Sequence, residues 1–283
     1  MSQGLEQQTA PATATDLIPI ALGVALFAWW LLTTSLGRKA LVDSKPRRNS
    51  MVFLLPFMVF FLWLSSTYVL ASLSTLFTGG LRDWQAMFVG SLFPTCGSLA
   101  TIVFVLIIAR VTFVRGLKGF GLRLRTLPRD FARAFLTLAA IWPLVMAMMS
   151  LTILVMKHFD QSFEVPQHEA LEVITESPSL PLQVLMTVLA VAVAPLVEEL
   201  MFRGLFQSMI RSYLGRPWLA IAITSALFAT IHKNHEHWPA LFVLAMGLGY
   251  SYEKSSSLLR PIFMHAMFNG VTILAALAES RMT

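Results

Sequence analysis

Residues 181–206 read PLQVLMTVLAVAVAPLVEELMFRGLF. No charge occurs before Glu198, and the segment exceeds the roughly 20 residues a helix needs to cross a bilayer. Three ionisable residues then arrive together, Glu198, Glu199 and Arg203. An ionised group at membrane depth costs at least about 2.5–3.5 kcal/mol, so it lines a cavity or is paired. Glu199 and Arg203 stand four apart, neighbours on one helical face and placed for an ion pair. Glu198 is rotated about 100° away and has no partner in its own helix. A braced carboxylate beside one facing a cavity suits a general base and its support. The same i, i+4 pair is also an ordinary structural pair, and both readings stay open at this point.

The rest of the chain has the same character. Seven further apolar segments lie at 17–36, 51–77, 85–109, 133–156, 217–232, 239–252 and 261–278. Of the 283 residues 56% are hydrophobic and 13% are charged, with a mean hydropathy of +0.70. A soluble domain carries about 25% charged residues, so the deficit decides the class. Unpaired strand edges cannot face lipid, and no barrel-like alternation is present. The expected fold is all-α, a polytopic transmembrane bundle of about eight spans. A polar tail (1–16) precedes membrane helices with basic loops (17–156), an acidic loop (157–180) and a last helical unit (181–283). The tail lacks Lys and Arg, so 17–36 reads as a retained span rather than a secretory signal.

Net charge is +6, but the basic residues are sorted into loops, which indicates topology and anionic lipid headgroups, not nucleic acid. Loop 37–50 holds Arg38, Lys39, Lys45, Arg47 and Arg48 against Asp43, and loop 110–133 holds seven basic residues against Asp130. Loop 157–180 has Lys157 against Asp160, Glu164, Glu169, Glu172 and Glu176; loop 207–216 adds Arg211 and Arg216. Basic loops inside and the acidic one outside put both termini outside. The segment GLKGFGLRLRTLPRDFARAF (116–135) reads either as an amphipathic stretch along the headgroups or as an ordinary basic loop. Cys96, the one cysteine, excludes an internal disulfide and is expected to be a small buried thiol. The expected location is a bacterial cytoplasmic membrane, as a multi-pass protein.

Two more polar sets fall in late spans. His232 ends the run LAIAITSALFATIH, with Phe228 one turn earlier; His265 and Asn269 share a helical stripe in PIFMHAMFNG. A carboxylate, two imidazoles and a carboxamide from three spans can converge on one hydrated pocket, as base, proton shuttle and oxyanion donors. Packing histidines and hydrogen bonds between helices are the plainer alternatives. His235 and His237, in HKNHEHW (232–238), read as exposed loop residues rather than a metal site. Taking loop 207–216 as the inner boundary puts Glu198 roughly 13 Å and His232 roughly 24 Å from it, a mismatch in depth.

EELMFR (198–203), FATIH (228–232) and HAMFN (265–269) together resemble the CPBP family of intramembrane proteases, which includes Rce1-type CAAX prenyl endopeptidases. That family shows a double glutamate with arginine four residues after the second, then Phe-x-x-x-His, then His-x-x-x-Asn. The resemblance covers roughly 180–275 and implies a catalytic helical core there. It implies that Glu198 and His232 activate water, that His265 and Asn269 hold the oxyanion, and that Glu199, Arg203 and Phe228 support them. It implies an endopeptidase acting on a peptide or membrane-anchored protein. No cofactor is favoured; should a divalent metal such as zinc be used, Glu198, His232 and His265 are the candidate ligands, although HExxH is absent. A non-catalytic scaffold or immunity protein and an ion-coupled transporter are the competing functions.

Overall fold

The computed structural model describes residues 14–33, 39–163, 165 and 169–281. Residues 1–13, with Arg38 and Glu164 of the loop charges, lie outside the described residues. Among the described residues, each of the eight apolar segments holds a helix. They form α1 (Ala14–Thr33), α2 (Leu55–Ser74), α3 (Asp83–Thr112) and α4 (Leu127–Phe159). A short α5 (Glu169–Glu176) lies within the acidic segment. Then come α6 (Leu180–Leu214), α7 (Pro217–Thr230), α8 (Trp238–Ser255) and α9 (Leu259–Glu279). Five of them, α2, α3, α4, α6 and α9, are long and apolar enough to cross a membrane, and α7 is a shorter apolar helix. Among the described residues there is no strand, only an isolated antiparallel bridge between Asn49 and Phe113. The chain is an all-α, multi-pass integral membrane protein.

Proline marks where helices start. It stands in the first turn of α2, α4, α6, α7 and α8, where its missing N–H is no loss. Gly215, at φ +67°, ends α6, and its N–H bonds Arg211 O at 3.1 Å. Pro217 opens α7 two residues later, so α6 and α7 form a tight hairpin.

The core is apolar as in a soluble protein, but the surface is apolar too and a few charges lie inside. Large apolar side chains such as Phe61, Val103, Leu136 and Leu274 are exposed, while Glu199, Arg203, Gln207, Arg211 and Glu253 are buried. A surface this apolar is matched to lipid. Cys96 is on that outer face: it is exposed, not the buried thiol expected from its apolar surroundings. A span that contacts lipid satisfies an apolar residue without covering it by protein.

Helix α6 is the centre, packed against α2, α3, α7, α8 and α9, while α4 joins α1, α8 and α9. Three of the polar bonds between α6 and α8 repeat at one spacing. Arg203 Nη2 donates to Ala245 O (3.2 Å), Gln207 Nε2 to Gly249 O (3.0 Å) and Arg211 Nε to Glu253 Oε1 (3.0 Å). Each joins residues 42 apart in sequence. A constant offset at four-residue steps is a ladder between two parallel helices in register.

The ladder corrects two expectations. Arg211 is a buried member of α6, not a solvated loop charge, because Glu253 neutralises it. Helix α6 continues to Leu214 rather than ending near 206. Glu198 therefore lies about 24 Å of helix rise from the α6–α7 turn, the depth already expected for His232. The mismatch came from ending the span too early.

Ion pairs stand at both ends of the bundle. At one end Arg47 and Arg211 both bind Glu253 (3.4 and 3.0 Å), and Arg260 binds the buried Asp130 (2.7 Å). There Tyr252 Oη donates to Phe120 O and Leu258 N–H to Gly121 O. The start of the 116–135 segment is thus pinned into the protein, with Phe120 buried, while Leu124, Leu127, Phe131 and Phe135 face outward. At the other end Lys233, just past α7, meets Glu169 of α5 at 2.7 Å.

Candidate active site

The site begins with a disturbance in α6. Two π-helical stretches, Leu189–Val193 and Leu200–Gln207, flank the α-helical Ala194–Glu199. In the first, the N–H of Ala194 bonds Leu189 O, five residues back. The next bond in that series would run from residue 195 to Ala190 O, but Pro195 has no N–H. Asn269 supplies the donor instead: its Nδ2 bonds Ala190 O at 2.8 Å. Proline thus opens a backbone acceptor, and the carboxamide of α9 fills it. Inserted residues of this kind are frequent at functional sites.

The two glutamates have different surroundings. Glu199 is fully buried, and its Oε1 accepts from Arg203 Nη1 at 2.7 Å and from His265 Nδ1 at 3.0 Å. A carboxylate can only accept, so Nδ1 of His265 carries a proton. The other ring nitrogen, Nε2, is 3.9 Å from Glu198 Oε2, beyond hydrogen-bond range. Glu198 keeps 16% of its side chain exposed, against none for Glu199. Oε2 of both glutamates lacks a hydrogen-bond partner among the described residues, but Glu199 is held through Oε1 and Glu198 is not. The arginine and the imidazole have claimed one carboxylate and left its neighbour uncommitted.

Phe228 holds the imidazoles in place. It is buried, with ring centroids 4.9 Å from His232 and 5.7 Å from His265, and Arg203 Cζ lies 4.6 Å over its ring. A cation over an aromatic face is attractive and adds to the brace. Nδ1 of His232 bonds Phe228 O at 2.8 Å, and Trp238 Nε1 bonds His232 O at 2.8 Å. Since a carbonyl only accepts, the Nδ1 that bonds Phe228 O holds the ring proton, and Nε2 is the acceptor nitrogen of that tautomer.

The structure brings Glu198, Glu199, Arg203, Phe228 and His265 into one cluster, with His232 on its Phe228 side and Asn269 one turn beyond His265. His235 is exposed and His237 half-buried in a 3₁₀ turn, His235–His237. Among the described residues no three His, Cys, Asp or Glu side chains are grouped to hold a metal ion. The alternative ligand set Glu198, His232 and His265 is not among such groups. Sequence reasoning missed Gln207 and Glu253, which continue the α6–α8 ladder that begins at Arg203. The signal was present for Gln207, since positions 199, 203, 207 and 211 continue one i, i+4 series of polar residues.

Comparison with known proteins falls on this same region. Residues 180–271 match a family model described as type II CAAX prenyl endopeptidase Rce1-like, which meets the expectation drawn from the three motifs. An uncharacterised 24.3 kDa protein of Escherichia coli is 34% identical over 92 residues, 31% of this chain. The match spans 42% of that relative, less than half its length. No solved structure matches the chain.

Proposed function

We propose that this chain is an intramembrane endopeptidase, hydrolysing peptide bonds of membrane-associated proteins or peptides of the CAAX type named by the matched family. The observation that carries the reading is the uncommitted Glu198 carboxylate beside an imidazole that Glu199 already holds. Glu198, with His232, takes a proton from a water molecule as its oxygen attacks the scissile carbonyl carbon. The carbonyl oxygen becomes an oxyanion. His265 in its doubly protonated form offers Nε2–H to it, and Asn269 offers the Nδ2 hydrogen that Ala190 does not use. Collapse of the intermediate breaks the C–N bond. The proton passes from the Glu198–His232 pair to the leaving amine, giving a carboxylic acid, which then ionises to water, and a free amine. Glu199 and Arg203 bond no substrate in this scheme; they hold His265 in orientation.

The test is cleavage of a fluorogenic prenylated CAAX peptide by the full chain in liposomes. Glu198→Gln keeps the side chain's shape but removes the base, and turnover falls by roughly 10²–10⁴-fold. The protein stays folded, since that carboxylate holds nothing in place. Activity at the unmodified level in Glu198→Gln would overturn the assignment. Turnover is expected to survive a chelator; its loss, restored by zinc, would transfer the reaction to a metal.

A further inference from the structure

The geometry points to a binding site for the phosphate of an anionic phospholipid headgroup, at the basic end of the bundle. It is independent of the proposed hydrolysis. A pocket of about 690 Å³ opens where the 46–50 segment crosses the end of α3. The crossing is held by main-chain bonds, Ser50 N–H to Thr112 O (2.9 Å) and Val114 N–H to Arg48 O (3.1 Å). Arg47, Arg48 and Arg110 line the pocket, and no acidic residue does.

The three guanidiniums differ in a way that matters. Arg47 is buried and fixed: it donates to Tyr252 O at 2.7 Å, stacks 3.4 Å over the Tyr252 ring, and shares Glu253 with Arg211. One carboxylate thus answers two buried arginines, and the local charge stays positive. Arg47 Nε is a buried donor without a partner. Arg48 and Arg110 are exposed and make no ion pair with any described acidic residue. Two unpaired guanidiniums beside a rigid third suit a phosphate, whose oxygens each accept such a fork.

Position selects lipid over free phosphate. Arg110 is in the last turn of α3, at the end of a helix long and apolar enough to cross a membrane. Val52, Phe53, Val111 and Val114 are exposed beside the pocket, an apolar flank for acyl chains that a soluble anion has no use for. The positive-inside rule accounts for arginines at this end, but not for their gathering around a pocket without acids.

The full chain, purified in a neutral maltoside detergent, is titrated with phosphatidylglycerol and its thermal stabilisation recorded. Saturable stabilisation is expected, and the double variant Arg48→Ala, Arg110→Ala should bind roughly thirtyfold more weakly. Arg125→Ala with Arg129→Ala, two exposed arginines outside the pocket, should leave binding unchanged. If that control loses as much, or the pocket variant loses nothing, the site is only diffuse surface charge and the proposal fails. Inorganic phosphate at millimolar concentration should have no effect. A saturable shift with phosphate, absent from the pocket variant, would overturn the lipid assignment. Should the alanine variant unfold before lipid is added, Arg48→Gln with Arg110→Gln is read the same way.

Discussion

Two adjacent glutamates in one helix answer to different physics. Glu199 is held by Arg203 and His265 with no exposure. Removing one partner of such a pair leaves a buried charge without compensation, a loss of about 3–5 kcal/mol. Glu199→Gln and Arg203→Leu are therefore expected to unfold well before the unmodified protein on titration with a denaturing detergent. Glu198→Gln should unfold with it or slightly later, because an uncommitted carboxylate contributes no bond to lose. Equal destabilisation of Glu198→Gln and Glu199→Gln would contradict this division of roles. The division was half legible in the sequence. The four-residue spacing of Glu199 and Arg203 predicts their pairing and leaves Glu198 on another face. That His265 would approach Glu199 through Nδ1 depends on how α9 docks, which no local pattern encodes.

At the scale of the helix, Pro195 is expected to matter through the bond it cannot make. Pro195→Ala supplies an N–H that competes with Asn269 for Ala190 O, so α6 should gain stability while Asn269 is released. If the carboxamide acts where it is proposed to, turnover falls while the melting temperature rises. Unchanged turnover would show that the Ala190 contact does not position Asn269. The ladder between α6 and α8 makes a second demand. A Cβ on Gly249 would meet Gln207 Oε1 at 2.8 Å and Ile221 Cγ2 at 2.9 Å. Gly249→Ala should lower stability by about 1–3 kcal/mol in thermal unfolding, the usual range for overpacking. The apolar runs made every helix but α5 legible, but not the helix ends; α5 lies in the acidic segment read as a loop. Arg211 looked like the start of a loop because its partner, Glu253, is 42 residues away, and only tertiary pairing makes such a charge tolerable inside a span.

For the molecule as a whole, sorted charge is the readable feature. Arg47, Arg48 and Arg110 line one pocket at one end with no acidic residue among them, and at the other end Glu169 pairs with Lys233; the loop charges predict basic residues collected on one side. On a Cys96→Ser background, a cysteine at Arg125 should react with a membrane-impermeant maleimide only from the cytoplasmic side, and one at Glu172 only from outside. Reaction of Arg125→Cys from outside would invert the topology. The register of α6 against α8 has a mechanical consequence. Moving α8 along α6 by one residue turns it through about 100°, and the rungs at 203, 207 and 211 all lose their acceptors in the same step. Creep is forbidden; the two rods hold together or part outright. Any rearrangement that admits a polypeptide beside Glu198 must leave this pair clasped and spend its motion on other neighbours of α6.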